Sequence, residues 1–480
     1  MDKNKILSVF VTLFAAVAAI SGLVWWMTND PDVTLKKSIP GMDKDPSRVF
    51  EIPKEVVKIG EFFEKGTGVP STLPGYWPQF RGTDYDNIVK KTPKLADSWG
   101  KQGPKVYWRL PLGEGHAAPV IQNGRVYLLD YDEKKKADAL RCLSLADGKE
   151  IWRRWYKIQV KRNHGMSRTV PVLNDKYLVT IGPRCHVMCV DVESGDLKWG
   201  KDLVKDFGTK VPGWYTGQCP IFDGNTVVLA PCGKDILMMG VDCETGKIIW
   251  KVSNPKKWKM SHSSIVPMTI AGKKMFVYSA TGGMLGVSAE AADKGKVLWE
   301  TNAWNHNVVA PSPTHVGNGK IYITAGYGAG AMLLQVEKKG SEFSVKVLQE
   351  IKAKEGLASE QQTPIFTQNR LYGILPKDAG PKRQQFICVD SNDITKIHWS
   401  SGRSKRFGIG PYILADNKFY ILNDNGTLTM IKAGVDGYEQ LDQFKILDGH
   451  DAWGPIAIAG TRMLLRDSKN MVCIEVGEKK

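Results

Sequence analysis

The chain has 480 residues, 42% of them hydrophobic and 24% charged, with 48 Gly and 25 Pro. That composition excludes a disordered or coiled-coil protein and fits one large, turn-rich folded domain with a tail. The net charge of +16 favours anionic neighbours, but the Lys residues are scattered, so solubility is the simpler reading and nucleic acid is not an expected partner.

Residues 1–5 read as a short cytoplasmic N-terminus. Ile6 to Met27 follows without a charge, long enough to cross a bilayer as a helix, with Trp25 and Trp26 at an interfacial position. Ala16-Val17-Ala18 fits a signal-peptidase site, yet the apolar run continues nine residues beyond Ala18, which favours an uncleaved signal-anchor. Lys3 and Lys5 before it give an N-inside orientation, with the bulk of the chain on the periplasmic or extracytoplasmic side. Residues 28–95 read as a tether. Within it, Pro53 to Lys65 has the spacing of a short amphipathic helix, with Val56, Ile59 and Phe63 on one face and Gly66 as its stop. Thr67 to Gly75 reads as a spacer.

From residue 96 to 476 the chain repeats. A Pro followed by an apolar run recurs at Pro119, Pro171, Pro220, Pro267, Pro313, Pro364, Pro411 and Pro455, seven steps averaging 48 residues. Each period holds a β-run, a turn such as Asn123-Gly124, a second β-run, a third, then a Gly-containing turn leading to Trp152, Trp199, Trp250, Trp299 or Trp399. Val347 and Phe444 stand near the Trp place in two degenerate repeats. Four strands per period make a propeller blade, so the fold class is all-β: an eight-bladed β-propeller of four-stranded antiparallel blades behind one N-terminal transmembrane helix. The eighth repeat ends at Val476 after three strands. Its fourth is supplied by Val106 to Leu110, which would close the ring and remove an open edge. Residues 477–480 are a tail.

Cys142 and Cys189 each lie six residues before a turn Gly, Gly240 holds that place in the third repeat, and Cys388 and Cys473 roughly match it. The series reads as a small buried position. Cys185, Cys219 and Cys232 differ. Cys219 begins an inner strand and Cys232 lies in a second-to-third strand loop, so Cys219–Cys232 is a candidate disulfide in an oxidising compartment, beside the reading that both thiols are free. The metal question stays open; His186 beside Cys185 matches no common metal-binding spacing.

Loops entering the innermost strands converge on the mouth of a propeller's channel. The seven residues before each repeated Pro contain His116, His164, Arg168, Tyr215, His262, His306, Glu360, Arg406, His450 and Asp451. As a polar funnel these residues would take a protein partner or a small or anionic ligand; as separate groups they would each bond their own loop. No residue is assigned a catalytic role.

The Asp-Gly/Thr-Gly-x-x-x-Trp unit resembles the tryptophan-docking repeat of the pyrroloquinoline-quinone (PQQ) propeller superfamily, and Trp77-Pro78-Gln79-Phe80-Arg81-Gly82-Thr83-Asp84 is similar to its entry segment. The resemblance covers about Trp77 to Val476. It implies that each repeated Trp docks between adjacent blades. The superfamily includes PQQ-dependent alcohol dehydrogenases and the bacterial outer-membrane assembly scaffold. The dehydrogenases carry adjacent disulfide-bonded cysteines facing the quinone, and no two Cys are adjacent here, which places the chain nearer the scaffold-like branch. The expected function is a membrane-anchored binding or scaffolding module. The alternative is a quinoprotein-type oxidoreductase using PQQ with Ca²⁺, or another cofactor, in the central funnel.

Overall fold

The computed structural model describes residues 3–28, 56–434 and 436–478. Residues 29–55, which include the first part of the expected tether and the first residues of the expected short helix, lie outside them. Two units separate near Val56. In the first, a helix runs over Lys3–Thr28, and its segment Ile6–Thr28 is long and apolar enough to cross a membrane.

In the second unit, among the described residues, eight antiparallel sheets follow one another along the chain as propeller blades. Blade 2 is typical. Val172–Leu173, Tyr177–Ile181, His186–Asp191 and Leu197–Asp202 pair in that order, innermost strand to outermost. β-Branched and aliphatic residues fill these short strands, and the middle two are buried on both faces, because each blade packs against a neighbour on either side.

Blade 8 is assembled from both chain ends. Ala457–Ala459, Arg462–Arg466 and Asn470–Glu475 supply three strands, and Val106–Pro111 completes the sheet with Cys473 opposite Trp108. The ring therefore closes with the strand expected from sequence.

The docking positions follow one rule. Trp108, Trp152, Trp199 and Trp250 lie against the turn glycines of the next blade, Gly148, Gly195, Gly246 and Gly295, all with φ between 69° and 87°. A Cβ on these glycines would sit within 2.8–3.2 Å of the indole, and the left-handed backbone independently favours Gly. The indole N–H of Trp108, Trp152 and Trp199 donates to the carbonyls of Leu145, Glu193 and Cys243 at 2.9–3.1 Å. In degenerate blade 7 the ring of Phe444 meets Gly103 in the same way. Directly across the sheet from the Trp stands the small position: Cys142 faces Trp152, Cys189 faces Trp199, Gly240 faces Trp250, Gly286 faces Trp299, Cys388 faces Trp399.

A second belt circles part of the channel. Val170 N–H donates to Cys219 Sγ, Cys219 N–H to Ser264 Oγ, Ser264 N–H to Ser312 Oγ, and Ser312 N–H to Thr363 Oγ1, at 2.9–3.2 Å. Each link joins one blade to the next just before its innermost strand. Ser264 precedes Ile265, so Ile265 is blade 4's counterpart of the repeated Pro, and Pro267 sits two residues inside the strand.

The segment before the first blade departs from the sequence expectation. Where a helix is expected over Pro53–Lys65, the chain turns at Gly60 with φ 71° and forms a strand, Phe62–Lys65, on the outer edge of blade 1. That edge offers unpaired backbone and aromatic side chains. Phe62 stacks on Trp155 at 4.1 Å, and Phe63 lies under the Arg154 guanidinium at 4.8 Å. The Thr67–Gly75 stretch is no free spacer either: Gly68 N–H bonds Glu150 and Ser71 N–H bonds Gly124. Tyr76–Trp77 then pairs with the innermost strand of blade 1, so the segment holds that blade by both edges.

From there the chain crosses the channel. Pro78 carbonyl accepts from Leu173 in blade 2, Tyr85 packs against cores of blades 3 to 5, and Ile88–Val89 runs parallel to Leu414–Ala415 in blade 7. Entering antiparallel to one inner strand and leaving parallel to another, residues 78–87 cross the channel, coming from its hairpin-turn end and returning to it. The loops entering the innermost strands occupy the opposite end.

Candidate functional site

At that opposite end, Arg168 is the hub. Its Nη2 donates to the carbonyls of Asn163 and His164 at 2.8 and 2.6 Å. Burial pushes its guanidinium down to about 10, and its charge acts on Tyr215 and Tyr327 from blades 3 and 5. His116 is buried with Nε2 3.0 Å from the His164 carbonyl, which calls for its proton on that nitrogen, and its ring lies 5.1 Å from Trp453. Burial, then the charges of Arg168 and Arg466, push His116 down to about 3. His262 is pushed down to about 4 by burial and by Arg168. Both imidazoles are therefore neutral at pH 7.

The other sequence-selected residues divide. His164 contributes its carbonyl, and its side chain is exposed. Tyr215 donates its hydroxyl to the Lys161 carbonyl at 2.7 Å, tying the loop of blade 3 to that before blade 2. Glu360, raised by burial, accepts from Lys377 N–H. His450 is exposed and lies 3.2 Å from Asp451. Two residues lie apart from this cluster. His306 stacks edge-on to Trp304 at 4.4 Å and feels Glu350 of blade 5's outermost strand. Arg406 bonds the Arg403, Arg383 and Pro381 carbonyls.

Four mouth residues escape the sequence reading. Trp214 stacks on Tyr327 at 5.6 Å and sits 6.0 Å from His262. Trp453 N–H donates to Asp424 at 2.8 Å, and burial raises that carboxyl. Trp214 and Trp453 lie among the seven residues before Pro220 and Pro455, near Tyr215 and Asp451. Tyr327 and Asp424 come from second-to-third strand loops, which share the face with the loops before the repeated Pro residues.

Backbone strain concentrates here. His164, Trp214, Tyr215, Tyr327 and Asp451 all have φ between 52° and 71°. Many of the other non-glycine residues with positive φ, such as Asn123, Asn318 and Asn417, sit in hairpin turns that demand it.

The candidate disulfide is absent. Cys219 and Cys232 are free and buried, Cys219 in the hydrogen-bonded belt and Cys232 with its thiol toward the Leu237 carbonyl. The belt, which the sequence does not reveal, uses the Cys219 sulfur as an acceptor. Among the described residues, no three His, Cys, Asp or Glu side chains are grouped to hold a metal ion. The residues present do not fit a Ca²⁺–quinone pair.

A family model described as outer membrane protein assembly factor BamB matches residues 136–401, more than half of the chain. The chain belongs to this family. No curated protein matches it. Among solved structures, the BamB-family chain is similar to a europium-containing methanol dehydrogenase (11% identity, 84% of this chain and 89% of that one, TM-score 0.56). It is similar to the computationally designed Ika8 protein (13%, 77% and 99%, TM-score 0.50) and to BamB from Moraxella catarrhalis (10%, 78% and 99%, TM-score 0.48). At these identities the likenesses to the methanol dehydrogenase and to Ika8 show the propeller fold alone.

Proposed function

We propose that the chain is a membrane-anchored, extracytoplasmic binding or scaffolding module that engages a protein partner at the channel-mouth face. One observation carries this reading: five non-glycine residues, four of them aromatic or His, hold left-handed backbone on the mouth loops. Such conformations cost about 1 kcal/mol or more each and persist where the surroundings hold a side chain in place for use. Exposed Tyr327, stacked on Trp214, is an aromatic anchor of the kind that dominates protein interfaces. The surrounding charges are mixed, with Arg162 paired to Glu114 and Lys377 beside Glu360, which suits a protein surface better than an acidic polymer. The family description, an assembly factor, supports a protein partner. The uncharged helix Ile6–Thr28 supports the anchor.

The test is a photocrosslinking amino acid placed at Tyr327 and, as control, at Lys346 on the outermost strand of blade 5, in the full chain in its native membrane. A discrete protein adduct from position 327 alone is expected. Equal labelling from both positions, or none from 327, overturns the reading. So does saturable binding of PQQ with Ca²⁺ accompanied by dye reduction with alcohols, which would establish the oxidoreductase alternative.

A further inference from the structure

Inside the channel, at the base of the mouth loops, stands a charge with no hydrogen-bond or ion-pair partner among the described residues. Arg81 is 4% exposed, carried by the crossing segment with its backbone at φ 68°. Its Nε is buried without a hydrogen bond, and among the described residues its guanidinium makes no hydrogen bond or ion pair. The other deeply buried arginines behave differently. Arg466 clamps the carbonyls of Ala117 and Gly113, and Arg154 those of Gly195 and Gly60. Arg81 has only Asp86 and the Tyr412 hydroxyl as electrostatic neighbours. Asp86 is engaged elsewhere, accepting from Ile88 N–H and lying 3.5 Å from Lys90.

The segment is built to hold that side chain in place. Gln79 Nε2 donates to the carbonyls of Gly82 and Thr83, closing a tight loop around Arg81. Asn87 N–H closes the loop's base on the Arg81 carbonyl at 2.9 Å. Gly82, at φ 79°, lies flat on the Trp77 ring, where a Cβ would come within 2.6 Å. Tyr412, the neighbour of the guanidinium, begins the innermost strand of blade 7, and its hydroxyl donates to the carbonyl of Thr363, a member of the hydroxyl belt. The charge thus sits at the level of the belt.

A buried guanidinium with no carboxylate paired to it is costly, and a fold that fixes one so firmly supplies half of an ion pair. We propose that Arg81 anchors an anion site inside the channel, which takes a small oxyanion such as a carboxylate, sulfate or phosphate through the planar fork of the guanidinium. This site does not depend on the protein-binding reading of the mouth, and either can fail alone.

The experiment is calorimetric titration of the full chain in detergent with sodium sulfate, phosphate and succinate at constant ionic strength, with thermal unfolding in parallel. Saturable binding of one equivalent of at least one anion is expected, with a Tm that rises with its concentration. Arg81→Met should weaken binding at least tenfold and leave the Tm insensitive to the anion. Arg81→Lys keeps the charge without the fork; it should bind several-fold more weakly than the wild type and serves if the Met variant does not fold. Arg109→Gln, on an exposed face of blade 8, should bind as the wild type does. The pattern across the three anions separates carboxylate from phosphate or sulfate ligands. Absence of saturable binding by the wild type overturns the proposal, as does undiminished binding by Arg81→Met or Arg81→Lys.

Discussion

The indole of Trp108 lies on Gly148 across the join between the last blade and the first, and its N–H donates to the Leu145 carbonyl at 3.1 Å. The contact that joins neighbouring blades elsewhere thus also seals the ring. Trp108→Ala should lower stability by about 3–5 kcal/mol, the usual cost of removing a buried large aromatic. Trp108→Phe should lower it by about 1 kcal/mol, since the ring stays and one hydrogen bond goes. Denaturant midpoints of the two variants check the order.

The small position opposite each Trp gives a sharper contrast. A Cβ at Gly240 would lie 2.1 Å from Trp250 Nε1, and at Gly286 2.2 Å from Trp299 Nε1. Gly240→Ala should therefore displace the indole and cost about 1–3 kcal/mol by overpacking. Cys189→Ala, at the matching position of blade 2, removes one buried sulfur and should cost no more than about 1 kcal/mol. Thermal unfolding of the pair would reverse this order only if the position were not under the indole.

All eight cysteines are free and buried. Burial pushes the Cys219 thiol up to about 11 and the Cys232 thiol up to about 12. A thiol reagent should find almost no reactive cysteine in the native protein at pH 8 and eight after denaturation without reductant. Six after denaturation would mean a bridge.

Two titrations act in opposite directions. His116 is held at about 3, below the ordinary 6.5 of a histidine, so its contribution is present above pH 6.5 and is lost as pH falls toward 3. Asp138, buried and accepting hydrogen bonds from Tyr156 and Ser167, is pushed up to about 6 from 3.8, chiefly by burial. Its contribution is present below about pH 4 and is lost as pH rises through 6. His116→Gln should flatten the acid limb of the stability–pH curve, and Asp138→Asn should remove the loss between pH 4 and 6. The Asp138 effect is on the order of 3 kcal/mol and the His116 effect on the order of 4 kcal/mol, read from unfolding midpoints across pH 3–8.

Strain at the mouth can be separated from the function proposed for it. Tyr327 has φ 57° and is half exposed, so Tyr327→Gly relieves the backbone while removing the ring. Tm should hold or rise slightly, and partner crosslinking from a neighbouring mouth position should fall at least tenfold. A lower Tm with partner crosslinking intact would show the ring to be structural.

The ring of blades was legible because each period repeats the same demands: a turn needing Gly, an indole needing a flat neighbour, and a small residue opposite it. Even the strand that completes blade 8, far from it in sequence, could be found from the missing member of the pattern. The segment before the ring was not legible. Val56, Ile59 and Phe63 have helical spacing, and nothing local reveals that the outer edge of blade 1, some ninety residues downstream, waits to pair with Phe62–Lys65. The mouth was legible in half. His116, Arg168, Tyr215 and His262 come together because the loops before the innermost strands converge; His306 and Arg406 turn away because Trp304 and the blade 6 carbonyls hold them. Arg81 escaped notice as a site because its significance lies in what does not touch it.

The two-sided grip on blade 1 also has a mechanical meaning. Tension drawn through the chain from residues preceding Val57 reaches the strand Phe62–Lys65 first, and its four residue pairs with Trp152–Trp155 bear that load. The inner pairing of Tyr76–Trp77 and the crossing segment come next in line, before the strand Val106–Pro111 that locks the ring. A pull from the N-terminal side would therefore be spent on a sacrificial clasp, and the propeller behind it would keep its shape.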